Sequence, residues 1–190
     1  LVVFAAGFAV SLCAGWISLP GLLYRTEIQP IRFNHQVHIG EKGNMGCADC
    51  HAFTPTGQFA GVPKVDGCAT CHSEPLGTTA AERELVERYV KPNREPRWLV
   101  YARQPQNAYF SHAAHVTRAK LACERCHGQI GKSTALPLYQ VNRITGYSRD
   151  VMGRPAGRWG LQRAGGMRMD DCVACHRERG LKHSCLDCHK

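Results

Sequence analysis

Ten cysteines fall into five copies of one spacing: Cys47-Ala-Asp-Cys50-His51, Cys68-Ala-Thr-Cys71-His72, Cys123-Glu-Arg-Cys126-His127, Cys172-Val-Ala-Cys175-His176 and Cys185-Leu-Asp-Cys188-His189. The chemistry of C-x-x-C-H is covalent capture of haem. The paired thiols add across the vinyl groups of one macrocycle as thioethers, and the intervening residues set the reach between them. The histidine that follows falls under the iron as its proximal ligand. A zinc site also uses paired cysteines, but has no reason to place a histidine directly after the second one every time. A disulfide scaffold is excluded by the same regularity, and by a length of 190 residues, since such scaffolds are usually shorter.

Five proximal histidines leave five of the chain's ten. His35 and His38 stand in Phe33-Asn34-His35-Gln36-Val37-His38, and His112 and His115 in Phe110-Ser111-His112-Ala113-Ala114-His115. His183 lies two residues before Cys185. These five are the expected distal ligands, so that every iron is closed by a second imidazole. Methionine is the rival axial ligand: Met45, Met152, Met167 and Met169 are available, the last two just before Cys172. Imidazoles three residues apart lie close on a helical turn, yet an iron has only one distal position. A pair therefore serves two haems and holds them near each other, the first histidine being expected to serve the haem just after it. An iron closed on both sides cannot bind substrate and only takes and gives electrons. The expectation is an electron wire with no catalytic residue.

The formal charge of +9 is read in the same light. A basic balance often points to nucleic acid. Five haems bring two propionates each and, when ferric, one positive charge each, so the oxidised holoprotein carries roughly +4 and the reduced one roughly −1. The basic excess is mostly counter-charge, and no nucleic-acid partner is expected. Residues 143–168 carry six arginines (Arg143, Arg149, Arg154, Arg158, Arg163 and Arg168) and six glycines, with no lysine. They read either as a solvated loop or as a wrapping segment whose guanidiniums pair with haem propionates or an acidic partner surface.

The elements that must position these residues begin with LVVFAAGFAVSLCAGWISLPGLLY, residues 1–24, which has no charge until Arg25. About 20 apolar residues span a bilayer core. A signal peptide has a shorter apolar core and a small-residue cleavage site, so an uncleaved transmembrane anchor is the preferred reading. Trp16 and Tyr24 are placed toward one interface, and Pro20-Gly21 is expected to end or kink the helix. Cys13, the odd cysteine, reads as a small hydrophobe, with Leu12 before it disfavouring a lipoprotein site. Residues 25–190 form the haem domain, with repeat units at about 30–75 and 108–190, since His38 precedes Cys47 by nine residues and His115 precedes Cys123 by eight. Between them Thr79-Ala-Ala-Glu82 has the form of a capping box. Leu85, Val86, Tyr89 and Val90 follow on one helical face, and Pro92 stops the run. Residues Arg97–Tyr101 read as a short strand.

The paired FxHxxH phrases before CxxCH resemble the class III multihaem cytochromes. With the apolar N-terminus and the five motifs, the chain as a whole is similar to the pentahaem subunit of alternative complex III. That resemblance implies a multihaem cytochrome c fold, mostly irregular, with short α-helices packed around five covalently attached haems and one N-terminal transmembrane helix. It also implies a haem domain on the periplasmic side beside an iron–sulfur subunit, relaying electrons in a quinol-oxidising respiratory or photosynthetic complex and meeting the quinol pool indirectly. A rival resemblance is to the membrane-anchored quinol dehydrogenases that feed periplasmic reductases. Those typically carry four haems, and often a methionine two residues after a motif histidine. Here Ala52-Phe53 follow His51, and no motif carries that methionine. A stand-alone quinol dehydrogenase and a soluble periplasmic shuttle are the alternative functions.

Overall fold

A computed structural model describes residues 2–58, 60–101, 107–146, 169–182 and 184–189, with positions 16, 17 and 19–21 described in backbone only. His183, Met152, Met167 and the arginines at 149, 154, 158, 163 and 168 lie outside the described residues. The chain divides into two compact units. One holds residues 1–28, 101–105 and 138–182, the other 29–100, 106–137 and 183–190.

The first unit is led by helix α1, Val2–Leu23, 22 residues without a charged side chain. At 1.5 Å per residue it is about 33 Å long. Val2, Val3, Phe4 and Phe8 are exposed along it, as is Cys13. The helix does not end at Pro20-Gly21 but continues to Leu23. A proline this close to the C-terminus removes only one backbone bond, and the chain passes directly into a strand. That strand, β1 (Tyr24–Glu27), pairs antiparallel with β2 (Tyr139–Asn142), Tyr24 opposite Asn142 and Glu27 opposite Tyr139. The pairing is absent from the sequence expectations. Asn142 then closes the turn after β2, its side-chain oxygen accepting from Ile144 N and Thr145 N. Among the described residues no helix is long and apolar enough to cross a membrane. Five residues of α1, at positions 16, 17 and 19–21, stand outside that comparison. Helix α7, Met169–Glu178, carries the fourth motif.

The second unit is built from short helices: α2 (His35–Ile39), α3 (Cys47–Cys50), α4 (Val65–Ala69), α5 (Ala80–Leu85) and α6 (Glu124–His127). Helix α5 runs on into a π-helical turn, Val86–Val90, and ends before Pro92. The expected apolar face is the core: Val86 and Tyr89 are buried, and Leu85, Val90 and Trp98 pack with Tyr89 on Ile31 and Val65. Val65 opens α4, so this cluster seats the helix that bears Cys68.

Two expectations here are corrected. Thr79 does cap α5, its side chain accepting from Glu82 N at 3.2 Å, but Glu82 does not complete a capping box, because its carboxylate turns to the loop before the helix. Residues 97–101 are not a strand. The Gln29 side chain satisfies Leu99 on both sides instead, donating to its carbonyl at 2.8 Å and accepting from its amide at 3.0 Å. A side-chain amide thus takes the place of a neighbouring strand.

Candidate haem-binding site

Each CxxCH turn of the second unit closes in the same way. His51 N donates to Cys47 O, His72 N to Cys68 O, His127 N to Cys123 O and His189 N to Cys185 O, all at 2.9 Å. Cys172, Cys175 and His176 lie within α7. A helical turn brings residues i, i+3 and i+4 to one face. Both thiols and the imidazole of a motif therefore share a side, as attachment of a macrocycle by thioethers requires.

The histidine rings are held by the nitrogen that a metal would not use. His38 Nδ1 donates to Asn34 O at 2.8 Å, His51 Nδ1 to Gly61 O at 2.8 Å, His112 Nδ1 to Gln58 O at 3.0 Å and His115 Nδ1 to Ser111 O at 2.8 Å. A carbonyl can only accept, so the proton sits on Nδ1 and Nε2 keeps its lone pair. Metal-ligating histidines are oriented in this way. His35 Nδ1 meets the Ser133 hydroxyl at 3.3 Å, and His72 Nδ1 donates to the Glu82 carboxylate at 3.0 Å.

Phenylalanine sets the rings within each pair. Phe33 stacks on His38 (4.5 Å, 17°) and meets His35 edge-on (4.8 Å, 81°). Phe110 does the same with His115 (4.5 Å, 20°) and His112 (5.0 Å, 88°). The two phrases are thus one geometric device used twice.

Each phrase is also docked on the other repeat. Gln36 N donates to Ser133 O, while Ala113 N donates to Gly57 O and His112 N to Gln58 O. Gly57 has φ +65°, and a Cβ there would stand 2.7 Å from Ala113 Cβ. Only glycine suits both that backbone and that approach.

Two pairs of rings oppose each other across the site. His38 and His72 have centroids 6.1 Å apart with planes at 57°, and His112 and His127 are 6.3 Å apart with planes nearly parallel at 2°. A metal–imidazole bond is about 2.0 Å, so two rings sharing one ion stand about 6 Å apart, centre to centre. His35 lies beside His51: burial holds its imidazole below the usual value, and His51 and then His38 push the same way. Burial, then His112 and His51, do the same for His127. Neutral imidazole is the form that ligates.

The motifs are neighbours as well. Burial pushes the Cys47 thiol up, with the Cys123 thiol beside it adding to the effect. Burial and then Cys50 do so for Cys68. The motif at 47–51 therefore lies next to both the motif at 68–72 and the motif at 123–127.

Of the methionine rivals within the described residues, Met45 donates its backbone N–H to His38 O at 3.0 Å, and Met169 is exposed at the start of α7. Arg143, also described, donates its backbone N–H to Leu23 O at 2.7 Å in the first unit.

These residues fit haem. Among the described residues no three His, Cys, Asp or Glu side chains converge on a metal site. Imidazoles come instead in opposed pairs, which suits an iron whose equatorial positions a macrocycle fills. The described residues also bury only six apolar side chains, those of Ile31, Val65, Val86, Tyr89, Pro96 and Val141, far short of an ordinary core for a chain this long. Haem supplies such apolar mass. Among the described residues Trp98 Nε1 is a buried donor with no acceptor, and a buried donor calls for one.

Residues 21–95 match the class III cytochrome c family. The chain is similar to the menaquinone reductase multihaem cytochrome c subunit of Nitratidesulfovibrio vulgaris (strain Hildenborough). The two are 37% identical over 202 aligned residues, covering 98% of this chain and 89% of the relative.

Proposed function

Because the chain belongs to the class III multihaem cytochrome c family, we propose that it is a membrane-anchored pentahaem subunit relaying electrons within a quinone-linked complex. Bound haem would supply one-electron exchange at iron. The protein's part is to hold the iron closed. His38 against His72 and His112 against His127 carry this reading, because an iron held between two imidazoles would have no position left for a substrate. The proximal ligands would be His51, His72, His127, His176 and His189, and the distal ones His35, His38, His112, His115 and His183. Within the second unit the motif at 47–51, which would hold one haem, lies next to the motifs at 68–72 and 123–127.

Helix α1 is the proposed anchor, and the haem domain belongs on the periplasmic side, where thioether attachment occurs. The name of the N. vulgaris relative favours a menaquinone-linked complex with other subunits. An iron–sulfur neighbour is the partner that the resemblance to the pentahaem subunit of alternative complex III implies. Following the relative's name, the direction is the reverse of the quinol oxidation expected from the sequence: electrons reach quinone, through a partner and not at this chain.

Purification in mild detergent, with co-purifying subunits identified by mass spectrometry, tests this directly. The reduced complex should be reoxidised by a menaquinone analogue, and the isolated chain should not. Rapid reoxidation of the isolated chain would make it a quinone enzyme in its own right. Recovery without partners in the soluble fraction would make it a shuttle.

A further inference from the structure

We propose that Glu82 is a positioning residue that holds the haem of Cys68 and Cys71 at a lower reduction potential than the neighbouring haem of Cys47 and Cys50. The inference rests on the reading of His72 as an iron ligand. Glu82 Oε1 accepts from His72 Nδ1 at 3.0 Å and from Leu76 N at 2.8 Å, and Oε2 accepts from Gly77 N at 2.9 Å. Both side chains are largely buried, 18% and 12% exposed. All three contacts are with N–H donors, which a carboxylate oxygen answers by accepting. The group is therefore an anion, fixed by three donors and aimed at the outer nitrogen of one ligand.

A carboxylate in that position pulls the Nδ1 proton toward itself and makes Nε2 a stronger donor. A stronger axial donor favours ferric over ferrous iron. Hydrogen bonding of this kind is one of the levers by which a protein sets haem potential. The neighbouring ligands lack it: His51 gives its proton to the Gly61 carbonyl, His38 to the Asn34 carbonyl, and His35 meets a hydroxyl. Of His35, His38, His51, His72 and His112, only His72 faces a carboxylate. The site is also built to admit it, for a Cβ on residue 77 would stand 2.9 Å from Glu82 Oε2. Glycine at 77 leaves room for the carboxylate to reach both amides.

The test is a spectroelectrochemical titration of the full-length holoprotein in detergent. Glu82→Gln should keep all covalent haems low-spin and raise one midpoint, leaving the others in place. The midpoint that moves should belong to the haem that His38→Ala turns high-spin. Glu82→Asp should bring it part of the way back. Should Glu82→Gln fail to assemble, Gly77→Ala keeps the charge while crowding the carboxylate, and should raise the same midpoint. Unchanged midpoints in whichever variant assembles would overturn the role of Glu82. A wild-type chain lacking haem at Cys68 and Cys71 would instead overturn the reading of His72.

Discussion

At the scale of single residues, the opposed imidazoles decide the chemistry. His38 illustrates how tightly one is specified. Asn34 caps α2 and accepts from Val37 N with its side chain, while its carbonyl takes the His38 Nδ1 proton and Phe33 stacks on the ring. Two neighbours, Asn34 and Phe33, fix the position of Nε2 before any iron is considered. Replacing His38 with Ala removes one distal ligand without touching a cysteine. The variant should retain every covalent haem, gain one high-spin signal, and bind carbon monoxide at that haem when reduced. A spectrum that stays wholly low-spin would show that His38 ligates nothing. The candidate ligands could be named from the sequence because CxxCH and FxHxxH are written in adjacent residues. The groups behind the ligands could not. Gln58, Gly61, Ser133 and Glu82 act through chain folding, and three of these four contribute a carbonyl or hydroxyl that no motif marks. Phe33 and Phe110 did leave a trace, since each stands two residues before a histidine in a repeated phrase.

At the scale of elements, short helices are placed by a small core and by their ligands. Val86 has no exposed surface and sits where α5 passes into the π-helical turn. Val86→Ala deletes two buried methyl groups. At about 0.8 kcal/mol per group plus a cavity contribution, it should cost roughly 2 kcal/mol. Thermal unfolding should therefore shift downward while the low-spin spectrum stays as it was. An unchanged midpoint would mean that the haems alone hold this region. The helix-face reading of Leu85, Val86, Tyr89 and Val90 succeeded because apolar periodicity is a local signal. The strand reading of 97–101 failed because Gln29, 70 residues away, answers Leu99 with a side chain. The β1–β2 ladder was missed for a similar reason, as its strands lie more than a hundred residues apart. Helix α1 carries its own test. A chain lacking residues 1–24, exported by a cleavable signal, should load haem and leave the membrane fraction. If the truncated chain stays with membranes, something other than α1 anchors it.

At the scale of the whole molecule, the account says that haem takes the place of an ordinary core. The described residues bury six apolar side chains, and the rest of the packing would be left to macrocycles fixed by thioethers and closed by imidazoles. The formal +9 of the polypeptide then serves chiefly to balance propionates. The central claim is therefore a number, five covalent haems on one chain, one for each CxxCH. The most direct measurement is the intact mass of the denatured, reduced protein. The account predicts an excess over the polypeptide of five haems, which survives denaturation because the links are covalent. An excess of three or four haems would contradict it, because at least one CxxCH would then carry no haem and its histidine would have no iron to close.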